Sequence, residues 1–168
     1  MPRSVAARND RVMNDDHLYR RGAGIMLLNR DGKVFVAARI DNPADAWQMP
    51  QGGLDDGEEP WDGILRELEE ETSIPPRLVE KIAEHPEVLR YELPDEWRGR
   101  VWGGRWIGQV QHWFLARFLG SDSDVKLQTE HPEFRDWKWV EPADVPQLIV
   151  PFKRDLYRRL LRDFAEHL

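Results

Sequence analysis

The sequence predicts an α/β chain of the α+β kind, with helices packed on a mixed β-sheet. Three observations carry this. Two β-rich apolar runs meet at an Asp-Gly turn, further aromatic strand-like runs follow residue 88, and two amphipathic helical segments stand apart from them. At 168 residues the chain is about one domain long, enough for a core of its own.

Ala23–Leu28 and Lys33–Arg39 are the two apolar runs, and Asn29-Arg30-Asp31-Gly32 between them signals a hairpin. A Pro-containing loop follows, then the short extended stretch Trp47–Gly53, which ends in a glycine pair. Pro60 suits the first turn of a helix, and Ile64, Leu65 and Leu68 supply an apolar stripe up to Thr72, before Pro75-Pro76 forbids continuation. Val88–Leu93, Gly108–Leu119 and Phe134–Val140 read as strands. In the C-terminal stretch Phe152–Leu168 the residues Phe152, Leu156, Leu160, Phe164 and Leu168 recur four apart, predicting a helix with one apolar face on the sheet and a basic face outward. Residues 1–17 read as a flexible leader and 18–168 as a single domain, since no internal repeat or long Gly/Ser linker interrupts them.

Composition narrows the function classes. There is no apolar run long enough to span a bilayer, and the Arg-containing N-terminus lacks the apolar stretch of a secretory signal, so a cytoplasmic location is expected. The absence of cysteine excludes disulfides, thiol nucleophiles and zinc ribbons, and the five histidines show no ligand spacing. The net charge of −7 is unevenly spread. Between Gly52 and Ile74 nine acids face the single base Arg66, whereas the remainder of the chain is within one charge of neutral. Such a run is either a solvated helix face or a platform awaiting a cation, and spacing must decide between them.

The spacing favours the platform. After Gly52-Gly53-Leu54-Asp55-Asp56-Gly57-Glu58 come seven residues and then Arg66-Glu67-Leu68-Glu69-Glu70-Glu71. On a helix Glu67, Glu70 and Glu71 share a face with neighbouring Cβ atoms about 5–6 Å apart. All-oxygen donors of this kind suit Mg²⁺ or Mn²⁺, ions that commonly complete their shell with water and substrate phosphate. Arg66 lies outside that face and is placed to reach back to Glu58, fixing the loop.

These residues match the Nudix box, G-x5-E-x7-R-E-U-x-E-E-x-G-U with U aliphatic, over positions 52–74; Gly52, Glu58, Arg66, Glu67, Leu68, Glu70, Glu71 and Ile74 are in register. The departure is Ser73, where the pattern has glycine; either a left-handed helix end there costs serine on the order of 1 kcal/mol, or the helix ends differently. Beyond the box the chain resembles the bacterial RNA pyrophosphohydrolases and the related dinucleoside polyphosphate hydrolases, in Tyr19-Arg20, Trp47–Gly53, Leu89–Pro94, Ile107-Gly108-Gln109, Pro132-Glu133-Phe134 and Phe152–Arg159. The resemblance covers roughly residues 18–165.

It implies the Nudix α/β/α sandwich and removal of pyrophosphate from a 5′-triphosphorylated RNA end, leaving a 5′-monophosphate and so starting mRNA decay. It also implies that Glu67, Glu70, Glu71 and Glu133 hold divalent metal, Mg²⁺ or Mn²⁺, with Glu58 and Arg66 completing the catalytic set. Arg20, Arg39 and Lys153 would hold phosphates beside Gly52 and Gly53, and Tyr91 and Phe152 would contact bases. Read from the residues alone, the alternative for Glu133 is a solvent-facing loop acid, Arg20, Arg39 and Lys153 are equally surface charges, and Phe152 is equally a core residue. The basic face of the last helix is either an RNA track or a set of salt bridges, and Trp47 and Trp106 are the tryptophans expected to line a cleft. The partners expected are RNA or a dinucleoside polyphosphate, with no membrane and no DNA, acting on a monomer or weak dimer. Two rival readings remain, hydrolysis of diadenosine tetraphosphate and a non-catalytic module that binds RNA or nucleotide.

Overall fold

The computed structural model describes residues 16–42 and 44–168; residues 1–15 of the expected leader lie outside it. Seven strands form one sheet: β1 (Tyr19–Leu28), β2 (Val34–Arg39), β3 (Gln51–Gly53), β4 (Val79–Glu84), β5 (Leu89–Glu92), β6 (Gly108–Phe118) and β7 (Phe134–Val140). Among the described residues three α-helices accompany them, α1 (Pro60–Thr72), α2 (Val145–Leu148) and α3 (Arg154–Asp163). The strand order is β4-β6-β1-β2-β7, with β3 added to β1 and β5 to β6. The β1/β6 pair is parallel from Tyr19↔Gly108 to Leu28↔Arg117, and the other pairs are antiparallel, so the sheet is mixed as expected.

Side chains alternate across this sheet and divide the core in two. On one face Ala23, Ile25, Leu27, Phe35 and Ala37 pack with Ile64 and Leu68 of α1. On the other, Met26, Leu28, Val36 and Ala38 pack with Leu156, Tyr157 and Leu160 of α3. Central strands covered on both faces explain why β1 and β2 read as continuous apolar runs rather than alternating ones. The result is the α/β/α sandwich. Leu68 is fully buried against the sheet, a position where truncation to alanine costs about 2–5 kcal/mol.

The turn Asn29–Gly32 forms, with Gly32 at φ 76° and Asn29 Oδ1 accepting N–H groups of Asp31 and Lys33 at 3.0 Å. The expected hairpin is nevertheless short. Beyond Leu28↔Val34 the two strands separate, and residues 48–50 enter between them, with Ile25 N–H donating to Pro50 O (3.0 Å) and Ala37 N–H to Gln48 O (2.8 Å). The wedge carries the chain into β3 and so brings the glycine pair to the sheet.

Other differences concern the periphery. Strand β4 has no strand-like signature, because Val79-Glu80-Lys81-Ile82-Ala83-Glu84 is a largely exposed edge whose pairing to β6 is broken by a register shift. The C-terminal helix is shorter than the four-residue apolar recurrence suggests. Pro151–Lys153 form a separate turn before it, Ala165–His167 another after it, and Leu168 is exposed. His85 is buried, with its Nε2 2.7 Å from Asp163. Among the described residues no helix is long and apolar enough to cross a membrane.

Helix α1 ends where the sequence places it. Ser73 takes the left-handed backbone (φ 68°, ψ 5°), its N–H donates to Glu69 O at 2.9 Å and its Oγ–H to Lys126 O at 2.8 Å. The strain of a non-glycine residue there, roughly 1 kcal/mol, is offset by a hydrogen bond of about the same worth. Replacing Ser73→Gly is therefore expected to leave stability within about 0.5 kcal/mol, whereas Ser73→Ala, which keeps the strain and loses the bond, should cost about 1 kcal/mol. Urea unfolding of the three proteins checks the pair, and equal stability of the alanine variant and the parent would refute it.

Candidate active site

Two glycines let charged side chains lie on the sheet. Strand β3 runs antiparallel to β1, with Ala23↔Gly52 and Gly22↔Gly53 in register. A Cβ at Gly52 would sit 2.2 Å from the Glu67 carboxyl carbon, and one at Gly53 would sit 2.2 Å from Arg20 Nη2. Only glycine leaves the volume these groups occupy.

Arg66 locks the neighbouring loop. Its guanidinium forks onto Glu58, with Nε to Oε2 and Nη2 to Oε1 both at 2.9 Å, and Nη2 donates also to Gly53 O at 3.1 Å. The reach back to Glu58 is the one expected, but Arg66 does not stand apart from the acids: Nη1 also contacts Glu67 at 3.2 Å and Glu70 at 3.3 Å. The fork, with the Asp55 N–H, holds the Glu58 carboxyl down at about 2.

The three helix acids part company. Glu67 lines the cavity with a side chain only 16% exposed, Glu71 is buried, and Glu70 is 59% exposed, lies outside the cavity lining and is engaged by Arg66. Glu133, from the loop before β7, joins Glu67 and Glu71 in the lining. Burial first, then the nearby Glu133 and Glu67, push the Glu71 carboxyl well above the usual range, and burial raises Glu67 against the opposing pull of Arg66. Glu71 Oε2 is buried with no hydrogen-bond partner.

Among the described residues no three acidic or histidine side chains already stand as a closed metal shell. The fit to a divalent cation rests instead on the orphaned Glu71 oxygen and on the mutual repulsion of three converging carboxylates, which a hard cation with oxygen ligands relieves.

The cations and aromatics line the same cavity, about 790 Å³ in volume. Arg39 donates to both oxygens of Asp41 (2.8 and 3.0 Å) and lies 3.9 Å from Glu133. Lys153 is buried, with Nζ 5.0 Å from the Tyr91 ring centroid, and burial with Arg39 nearby pushes its ammonium down to about 7. Burial raises the Tyr91 hydroxyl to about 12. Phe152 packs 5.8 Å from Tyr91 and 5.2 Å from Trp97 while lining the cavity, so it is both a core edge and a cavity wall.

Trp47 and Trp106 do not line the cavity; Trp47 packs beneath Lys138 and donates to Asp45, and Trp106 stands edge-on to Trp102. The lining tryptophans are Trp97 and Trp102, on a loop whose run Trp97-Arg98-Gly99-Arg100-Val101-Trp102-Gly103-Gly104-Arg105-Trp106 was the available signal. Also unforeseen is a floor of buried amides, in which Gln111 donates to Gln51 (2.7 Å) and to Gln109 and accepts from Trp113 Nε1 (2.9 Å). The basic face of α3 resolves into salt bridges: Arg158 with Asp155, Arg159 with Glu87 and Asp163, and Arg162 with Asp163.

The NUDIX domain family model matches residues 18–160. The chain belongs to that family. It is 53% identical over 153 residues to the RNA pyrophosphohydrolase of Erythrobacter litoralis, covering 90% of this chain and 93% of the relative. To that of Sphingopyxis alaskensis it is 54% identical over 154 residues, covering 92% and 98%. Among solved structures, the Escherichia coli dihydroneopterin triphosphate pyrophosphohydrolase superposes with a TM-score of 0.64 at 18% identity, over 84% of this chain and 96% of the other. The Caenorhabditis elegans Ap4A hydrolase binary complex superposes with 0.58 at 22% identity, over 86% and 98%. The two structures share the Nudix fold.

Lys153 gives this site a measurable pH signature. Between about 7 and the ordinary 10.5 the unfolded chain holds a proton that the folded chain does not, so this residue costs stability as pH falls through that window and costs it fully below 7. Lys153→Met is expected to melt higher than the parent near neutral pH, by about 3 °C or more, with the margin shrinking toward alkaline pH. Melting curves across that range test it; a margin independent of pH would show that the ammonium is not desolvated.

Proposed function

We propose that this Nudix hydrolase removes pyrophosphate from the 5′-triphosphate end of RNA, leaving a 5′-monophosphate. The observation that carries the reading is that one cavity is lined by carboxylates (Glu67, Glu71, Glu133), cations (Arg20, Arg39, Lys153) and aromatics (Tyr91, Phe152, Trp97) together. That combination suits a polyphosphate attached to a base. The family relationship to chains named RNA pyrophosphohydrolase supports the choice of RNA.

Glu67, Glu71 and Glu133 would hold divalent metal, of which Mg²⁺ is the reading and Mn²⁺ suits the same donors, with Glu70 at the rim. When bound, such an ion neutralises phosphate charge and makes a water nucleophilic at neutral pH. The protein's own groups do the rest. Arg20 and Arg39 present forked donors to phosphate oxygens. Tyr91 and Phe152 offer rings to a base, a contact worth about 1–3 kcal/mol and tolerant of sequence. Arg66 and Glu58 keep the loop and helix in register while a carboxylate accepts the proton of the attacking water. Hydrolysis breaks one P–O anhydride bond, the water oxygen joining phosphorus and pyrophosphate departing. With RNA as the substrate, the cytoplasm is the location this reading proposes.

The test is parallel turnover, with Mg²⁺, of a 5′-triphosphorylated RNA and diadenosine tetraphosphate. A kcat/KM at least tenfold higher on RNA, roughly 1.4 kcal/mol of discrimination, with 5′-monophosphate product is expected. Preference for the dinucleotide would make the chain a nucleotide hydrolase, and RNA binding without turnover would make it a binding module. In the same assay Glu71→Gln, which keeps the shape and removes the charge, is expected to lower kcat by about 10² or more while the fold, read by thermal melting, stays intact. Undiminished turnover in that variant would remove Glu71 from the chemistry.

A further inference from the structure

The loop between β5 and β6 holds a tryptophan in a backbone that favours glycine. Its neck is closed by Leu93 N–H donating to Ile107 O (2.8 Å) and by Arg98 Nε donating to Leu93 O (3.1 Å). Within it Gly99, Gly103 and Gly104 have positive φ, and so does Trp102, at 52°. A bulky side chain is seldom found in this conformation, and such outliers gather where function holds them. With glycines at the next two positions, an indole at 102 needs a reason.

Arg20 supplies one. Its guanidinium carbon lies 5.4 Å from the Trp102 ring centroid. Its Nη2 also lies against Gly53, where a Cβ would come within 2.2 Å. The guanidinium is thus confined between an indole and the glycine pair that opens the acidic loop. Arginine reaches this place from β1 on a long flexible stem, and without the ring it would be free to leave it.

We infer that Trp102 is a positioning residue that acts through Arg20, holding the guanidinium against Gly53 ready for a phosphate. Confinement before binding raises affinity by removing an ordering cost. This rests on the reading of Arg20 as a phosphate contact but not on which nucleotide carries the phosphate.

Inorganic tripolyphosphate, which has no base, is the probe. Its affinity is measured by calorimetry on the full chain with Mg²⁺ present, hydrolysis being followed in parallel, for the parent, Arg20→Ala, Trp102→Ala and the double variant. Each single change is expected to weaken binding about five- to tenfold, and the double variant should bind no more than about twofold weaker than Arg20→Ala. Trp102→Phe, which keeps a ring, should stay within about twofold of the parent. Trp102→Gly suits the backbone, so it should melt no lower than Trp102→Ala yet bind as weakly. Losses that multiply in the double variant, or a Trp102→Ala protein that binds like the parent, would overturn the inference. A parent chain that does not bind tripolyphosphate would overturn it too, while the comparison of RNA with dinucleotide turnover would still decide the substrate independently.

Discussion

Arg66 is the interaction on which the site's geometry depends. One guanidinium satisfies Glu58 in the loop, the carbonyl of Gly53 in β3, and Glu67 and Glu70 on α1. Three consecutive segments, β3, the loop after it and α1, are thereby fixed by a single planar donor set, which lysine's point charge would not reproduce. The fork also sets charge. With Glu58 held ionised and Glu70 engaged at the surface, the glutamates left facing the cavity are Glu67, Glu71 and Glu133.

Those three groups are arranged against folding stability. A buried carboxyl with an unpartnered oxygen and two acidic neighbours destabilises the folded chain, and so does a buried lysine. Local rules of this kind are broken mainly where function requires it. The surrounding sandwich tolerates the cost because both faces of the sheet are sealed by continuous apolar clusters, which owe nothing to the cavity's charges. The acids and cations also oppose one another across the cavity: Arg39 lies near Glu133 while held by Asp41, and Arg39 in turn disfavours a charged Lys153. An incoming polyphosphate with its cation would complete both halves of this arrangement.

Much of this was legible in the sequence, for identifiable reasons. Helix α1 could be bounded to the residue because proline marks both ends and the box spacing fixes the register; β7 was equally plain from Phe134 to Val140. Ser73 was readable as a left-handed cap because a glycine pattern was being departed from. Strand β4 was not, since its stability comes from pairing with β6 rather than from its own apolar content. The division of the helix acids was also hidden. Residues at i, i+3 and i+4 share a face, but a face spans a wide arc, and in the fold Glu71 is buried while Glu70 is not. Likewise four-residue recurrence cannot distinguish a residue on the helix from one in the turn before it, which is where Phe152 and Lys153 lie and why they point to the cavity.

The charge distribution has its own logic. A chain of net charge −7 would repel a polyanion at long range, yet at physiological salt the Debye length is only about 8 Å. What a phosphate meets inside that range is Arg20, Arg39, Arg100 and Lys153 at the cavity wall. Among the acids of the box, Arg66 engages Glu58 and Glu70, while at the buried Glu71 one oxygen has no partner. Unbalanced negative charge therefore stands where a small cation can reach it. On the proposed function, the acids that would repel a bare polyphosphate would admit one accompanied by its metal, so the charges of the cavity would favour the metal-bound substrate over the free one.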